Sequence, residues 1–327
     1  MKALVCQSLE DAALSWQSVA EPKPDAGQLL VEVKAASVNF PDALLMQGKY
    51  QIRLQPPFIP GMEVSGEVVG VGATTSGFVV GDRVAAVLPQ FGGFAERIAL
   101  SPGFTCKIPT DLPFDIAACI PSVYATAYYG LVNRAQLVAG EIVLVLGAAG
   151  GVGMAAISLA KALGAEVIAA VGSEEKAALV ARFGADHVIN YSKDDLQQAV
   201  KDHTDGGGAD IVVDPVGGDR TEQALRAIAW GGRHLVIGFA AGAIPAVATN
   251  LLLLKSASLV GVNFGGYTSR FTDPAQKICQ QVITMMAADS SLWPLVSRRI
   301  PMAEGGEAIA GLLARTGVGK IVLTLDG

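Results

Sequence analysis

Ile142-Val143-Leu144-Val145-Leu146-Gly147-Ala148-Ala149-Gly150-Gly151-Val152-Gly153 is an apolar run that breaks into a cluster of glycines, and Ala-rich sequence follows from Met154 to Leu163. A short unbroken run of Leu and β-branched residues suits a strand buried on both faces. The Ala-rich segment suits a helix closed by Gly164. Strand, glycine turn and helix together bring unpaired N–H groups and the positive end of a helix dipole to one point, where glycines let a pyrophosphate approach the backbone. Gly150, Gly151 and Val152 head the helix, and the expected ligand is a dinucleotide. The spacing is G-x-x-G-x-x-G rather than G-x-G-x-x-G, so the motif alone leaves open a glycine-rich turn that holds nothing.

Working outward, the 327 residues are enough for two domains, and 51% are hydrophobic while only 17% are charged. Much of the chain must therefore be buried. A net charge of −6 argues against a nucleic-acid surface. Residues 142–160 carry no charge and mimic a membrane span, but the glycines in the middle favour strand, turn and helix. Met1–Cys6 lacks the apolar core of a signal peptide. Cys6, Cys106, Cys119 and Cys279 form no C-x-x-C pair, so they are expected to be buried and inert in a cytoplasmic protein with no membrane attachment.

Up to about Pro121 the pattern is short strands and turns: Leu29–Val33 alternates with charged residues, Val64–Val71 is β-rich, and Gly81-Asp82-Arg83-Val84 reads as a turn entering a strand. A compact, barrel-like β domain is expected. From about Ser122 strands and helices alternate, with strands expected at 142–146, 166–170, 187–190, 210–214, 233–237 and 258–262. Such alternation implies a doubly wound parallel sheet of six strands. A helix over 274–288 and a β run within Leu312–Leu325 remain after that sheet is complete, and are expected to return to the first domain.

The chain resembles the zinc-independent quinone oxidoreductases of the medium-chain dehydrogenase/reductase superfamily. The resemblance rests on Ala36-Ser37-Val38-Asn39-Phe40-Pro41-Asp42, Pro60-Gly61-Met62-Glu63-Val64-Ser65-Gly66, Gly81–Val84, Thr126-Ala127-Tyr128-Tyr129, Gly147–Gly153 and Asp214-Pro215-Val216-Gly217-Gly218, in the family's order. It implies a GroES-like domain from residues 1–121 and 264–327, a Rossmann domain from 122–263, and homodimers formed through the latter. Catalytic zinc needs about three Cys, His or carboxylate ligands. Where zinc-dependent relatives carry Cys, His and Cys, this chain has Asn39, Met62 and Ser122, so no metal is expected. The three histidines, His187, His203 and His234, show no ligand spacing and read as surface or sheet-end residues of the nucleotide domain.

NAD-specific folds place an acid about 20 residues after the glycine turn. Here the second strand runs into Gly172-Ser173-Glu174-Glu175-Lys176, with space, a hydroxyl and a cation for a 2′-phosphate, so NADPH is the expected cofactor. Ser173 equally suits a helix N-cap, Lys176 a solvated charge, and Glu174 or Glu175 a ribose hydroxyl. The resemblance adds Tyr191 to the phosphate site. It places Asn39, Asp42, Tyr50 and Thr126 around the nicotinamide, with Asn263 approaching from the last strand. Gly238 and Phe239 are expected to flank the same ring, because ligands sit beyond the strand carboxyl ends.

Without zinc, the hydride acceptor must already be electrophilic: a quinone, or alternatively an enone or enoyl thioester. Asn39 or Tyr50 is a candidate donor to the acceptor oxygen. Tyr50 also suits a half-buried loop aromatic, and Asn39 and Asp42 suit turn caps. A reading of another class is a protein that holds NADPH without turnover.

Overall fold

The computed structural model describes residues 1–9, 13–313 and 317–325. The chain divides into two compact units, Met1–Ala125 with Gly265–Gly327, and Thr126–Phe264.

The first unit is built on a seven-stranded sheet in the order Val296–Pro301, Lys320–Thr324, Leu29–Val38, Glu63–Val71, Arg83–Val87 and Thr105–Lys107, with Arg97–Leu100 also pairing to Leu29–Val38. All pairs are antiparallel except that between the two strands nearest the C-terminus. Leu29–Val38 shows the expected alternation: Leu29, Val31 and Val33 face the core, while Glu32 and Lys34 meet at 2.7 Å on the other side. Its second half lies between Glu63–Val71 and Lys320–Thr324, with Ile321 opposite Val38 and Leu323 opposite Ala36. The last strand is thus zipped to one near the start of the chain. In the expected 312–325 stretch, residues 314–316 lie outside the described residues.

The helix expected over 274–288 is present in this unit at Thr272–Ala288, but its other helical structure was not foreseen. Phe40–Met46 is a helix entered through Asn39, with Pro41 in its first turn, where a missing N–H costs nothing. Seven residues are too few to show a period. Ile120–Tyr124 is a wide π-type turn that runs into Ala125–Tyr128, and a second such turn, Tyr129–Arg134, belongs to the other unit.

The second unit holds six parallel strands, Ile142–Leu146, Glu166–Val171, His187–Asn190, Ala209–Asp214, Ile228–Val236 and Ser258–Gly261, in the spatial order third, second, first, fourth, fifth, sixth. This is the doubly wound order, and the strand sequence reverses between the first and fourth strands. The first two strands are buried at every position but the first, as their apolar runs required. The glycine turn leads into a helix at Gly151–Ala162. Gly153 has to be glycine: a Cβ there would lie 2.5 Å from the Gly147 carbonyl oxygen and 2.7 Å from Ala148 Cα. Helix and strand are that close because the turn between them is short. Among the described residues, no helix is long and apolar enough to cross a membrane.

Candidate functional site

In the first unit, Asn39, Asp42, Glu63 and Lys320 form one buried polar cluster. Asn39 ends the Leu29–Val38 strand, Glu63 begins its neighbour on one side, and Lys320 begins its neighbour on the other. Lys320 Nζ donates to Asn39 Oδ1 at 2.6 Å and to the Val38 carbonyl at 3.2 Å, and lies 3.8 Å from Glu63 Oε2. Asn39 Nδ2 in turn donates to Glu63 Oε2 at 2.9 Å and to the Ser37 carbonyl at 3.1 Å. The other Glu63 oxygen accepts the Ser122 N–H at 2.7 Å. Lys320 is 5% exposed and Glu63 not at all. Burial pushes the Glu63 carboxyl up, against the pull of Lys320, Asn39 and Ser122.

This geometry reassigns Asn39. Lys320 can only donate, so the Asn39 oxygen must face it, and both amide hydrogens are then spent on Glu63 and Ser37. Asn39 is left with no N–H for an acceptor oxygen. Asp42 is likewise turned inward with no exposed surface; its carboxylate accepts the Asn39 N–H at 2.8 Å and the Gly61 N–H at 3.1 Å. The first of these bonds is the reach-back bond of a helix capping box. Gly61 is held at φ +97, where only glycine is at ease, and a Cβ there would strike the Phe94 ring at 2.5 Å. Asp42 therefore shapes the site without lining it.

Tyr50 is half-buried against Phe91, edge to face at 5.8 Å between ring centres, beside Leu45 and Phe58. Burial, and then the charge of Asp42, raise its pKa. Its hydroxyl bonds to no protein group among the described residues. Of the residues expected in this unit, Tyr50 alone presents a donor that is not already used. Among the described residues no three His, Cys, Asp or Glu side chains are grouped so as to hold a metal ion. Asn39 and Ser122, which stand where zinc-dependent relatives carry cysteines, are both bound to Glu63, beside the Lys320 ammonium.

The second unit gathers its candidates at the carboxyl ends of its strands. Gly150 caps the Gly151–Ala162 helix without any side-chain bond, so the first-turn amides face outward from a bare turn. The neighbouring loops are packed tightly: a Cβ on Gly147 would meet Val216 at 2.7 Å, and one on Gly217 would meet Phe239 at 2.8 Å. Turn, Gly217 loop and Phe239 thus meet at the point where the strand order reverses. A dinucleotide pyrophosphate fits a bare, amide-lined helix start of this kind. Gly238 follows the fifth strand beside an exposed Phe239, Asn263 is exposed just past the sixth strand, and Thr126 is half-buried on the Ala125–Tyr128 helix.

At the tip of the second strand, Gly172 faces Tyr191: a Cβ on the glycine would lie 3.1 Å from the ring and 3.3 Å from its hydroxyl. Ser173 is the N-cap of Glu174–Arg182, its Oγ accepting the Lys176 N–H at 3.3 Å. Glu174 is already engaged: Asn190 Nδ2 donates to it at 2.7 Å and Lys193 pairs with it at 2.8 Å. The Lys176 side chain stands on the first turn of the same helix.

Two features were missed. His234 is not a sheet-end histidine: it is fully buried in the fifth strand and bonds through Nε2 to Asp214 at 2.9 Å. Asp214 also accepts from Val216, Gly217 and Thr221, and despite burial these bonds hold its carboxyl below the usual range. His203 lies at the end of a helix, stacked on His187 at 4.4 Å, rather than in a strand or loop. The second feature is Arg220, whose Cζ sits 4.5 Å from the centre of the Tyr191 ring. Its only signal in the sequence was a position two residues past Gly217-Gly218. All four cysteines are buried thiols, none in a disulfide, and burial pushes the Cys119 thiol up to about 12.

Residues 25–110 match the family model described as alcohol dehydrogenase GroES-like domain, and residues 151–281 that described as zinc-binding dehydrogenase. A quinone oxidoreductase-like protein 2 homolog from Nematostella vectensis is 36% identical over 98% of this chain and 88% of its own length. The quinone oxidoreductase-like protein 2 of Bos taurus is 39% identical over 93% of this chain and 87% of its own. The quinone oxidoreductase of Thermus thermophilus, whose crystal structures include a complex with NADPH, superposes with a TM-score of 0.84 at 34% identity, covering 99% of this chain and 100% of that one.

Two outcomes follow from the buried cluster. Removing one partner of a buried ion pair strands the other, at a cost of about 3–5 kcal/mol. Lys320→Met should therefore destabilise the protein by that amount in urea unfolding, and adding Glu63→Gln should restore part of it; strictly additive losses would show the pair is uncoupled. Burial, against the bonds from Asn39 and Gly61, lifts the Asp42 carboxyl from 3.8 to about 7. Between those values the folded protein keeps a proton that the unfolded chain has released, so stability falls as pH rises through that window. Asp42→Asn should flatten the fall in melting temperature across it; a profile parallel to wild type would assign the titration elsewhere.

Proposed function

The chain belongs to the quinone oxidoreductase-like family of medium-chain dehydrogenases/reductases, and from that premise we propose that it reduces quinones with NADPH and without a metal. The observation that carries the reading is the uncapped glycine turn at Gly147–Gly153, next to a second-strand tip whose nearest carboxylate, Glu174, is already paired. Gly150, Gly151 and Val152 would hold the pyrophosphate through their amides. Gly172, Ser173, Lys176 and Tyr191 would receive the 2′-phosphate, and Thr126, Gly238, Phe239 and Asn263 the nicotinamide ribose and ring.

Once bound, NADPH supplies the hydride, and the protein supplies position and electrostatics. Tyr50 donates its hydroxyl to the acceptor oxygen as negative charge grows there. Asn39 and Asp42 act behind it. Asn39 is locked by Lys320 and Glu63 and holds the end of its strand, while Asp42 ties the start of the Phe40–Met46 helix to Gly61.

The same reading includes a homodimer made through the second unit. Its sixth strand, Ser258–Gly261, is at the open edge of the sheet, and Leu253, Leu254 and Leu259 are exposed beside it, Leu253 to 79%. An exposed strand edge with apolar neighbours is a surface that pairs.

NADPH oxidation should be rapid with 1,4-benzoquinone or 9,10-phenanthrenequinone and slow with crotonyl-CoA. The reverse preference would favour enoyl-thioester reduction, and silence with every acceptor alongside tight NADPH binding would favour a protein without turnover. Tyr50→Phe should lower kcat with the quinone by about 10- to 100-fold and leave NADPH affinity unchanged. In sedimentation the protein should run at twice its chain mass, and Leu253→Asp with Leu254→Asp should halve it; a wild-type monomer would remove the dimer from the proposal.

A further inference from the structure

Arg220 lies on the first turn of the Asp219–Arg226 helix, after the fourth strand of the nucleotide unit. Its guanidinium stands over the face of Tyr191, with Cζ 4.5 Å from the ring centre, and its Nη1 donates to Gln223 Oε1 at 2.7 Å. No carboxylate among the described residues pairs with it. Two other arginines of the same unit are neutralised: Arg226 by Glu222 at 2.6 Å and Arg233 by Glu141 at 2.8 Å. A half-buried guanidinium with no counter-ion, held by a stacked ring and a neutral amide, has planar N–H groups to spare for an anion.

The ring that carries it is the wall of the Gly172 notch. The same Tyr191 comes within 3.1 Å of the space a Gly172 Cβ would fill, and its hydroxyl within 3.3 Å. The acid closest in sequence to this notch, Glu174, is tied to Lys193 and Asn190. Around the notch there are therefore a phenol and a guanidinium with no counter-ion among the described residues, while of the two acids that follow Ser173, Glu174 is paired and Glu175 is exposed on the first turn of the Glu174–Arg182 helix. That balance suits a phosphomonoester and opposes a bare ribose hydroxyl pair, which would ask for an acceptor.

We propose that Arg220, positioned by Tyr191, is the residue that selects NADPH over NADH by binding the adenosine 2′-phosphate. The inference rests on the NADPH reading above and adds to it the group that discriminates. Tyr191 presents the guanidinium and offers its own hydroxyl to the same phosphate, while Gln223 limits the rotation of the Arg220 side chain. A lysine at this position would keep the charge but lose the planar stack on the ring.

Equilibrium titrations of the full-length protein with NADPH, NADH, 2′,5′-ADP and 5′-AMP, followed by calorimetry, test this without turnover. Loss of one charge-assisted phosphate contact corresponds to roughly a 10- to 100-fold change in affinity. Arg220→Gln should weaken NADPH and 2′,5′-ADP by about that factor and leave NADH and 5′-AMP within about twofold, with Arg220→Lys falling between. Equal weakening of all four ligands, or no weakening of NADPH, overturns the assignment while leaving the NADPH reading intact. Wild-type protein that retains neither NADPH nor NADH overturns that reading, and this inference with it. Should Arg220→Gln fail to fold by circular dichroism, Arg220→Lys carries the same comparison, and an unchanged NADPH-to-NADH affinity ratio in it overturns the proposal.

Discussion

A single amide side chain holds a buried ammonium and a buried carboxylate in register. Asn39 gives its oxygen to Lys320 and its nitrogen to Glu63, and the ion pair itself is stretched to 3.8 Å, so the amide carries the geometry. Two charges with almost no solvent access persist only where their remaining hydrogen-bonding capacity is met. Here the Val38 carbonyl and the Ser122 amide meet it. The cluster spans three neighbouring strands, one of them from the far end of the chain, and so fixes the start of the Phe40–Met46 helix and the loop behind Tyr50.

The nucleotide unit obeys a different constraint, close approach of backbone to backbone. Gly153 must lack a side chain because the helix start lies against the Gly147 carbonyl, and Gly147 and Gly217 must lack one because Val216 and Phe239 fill the space. Beneath these loops Asp214 accepts from two loop amides, from Thr221 and from His234. The loops at the reversal of strand order are thus held from below, with the amides of the glycine turn left uncapped. Among the described residues His234 Nδ1 is buried without a partner, so the imidazole makes a single directed bond to Asp214.

Charge placement around the second-strand tip separates structural from available groups. Glu174, Lys193 and Asn190 satisfy one another, and Ser173 caps its helix while its position stays at the rim. Arg220 and the Tyr191 hydroxyl are left over. Of the two acids that looked able to receive a ribose, Glu174 was already occupied, and a cation that attracted no notice was not.

Periodicity and glycine placement in the chain determined the fold. All six strands of the parallel sheet, the glycine turn, the long C-terminal-side helix and the strands around Leu29 and Val64 were legible, because buried central strands demand apolar runs, tight turns demand glycine, and the alternation of strands with helices places the rest. The short Phe40–Met46 helix and the π-type turns were not, since each is too brief to show a period. Asn39, Asp42 and Tyr50 were singled out from the sequence, but which of their polar atoms are already bonded was decided only by tertiary structure. Lys320 meets Asn39 across 281 residues of sequence, and Arg220 meets Tyr191 from a different strand-to-helix loop of the sheet. Which polar atoms are spent and which remain for a ligand depends on such pairings in space, and local sequence carries no record of them.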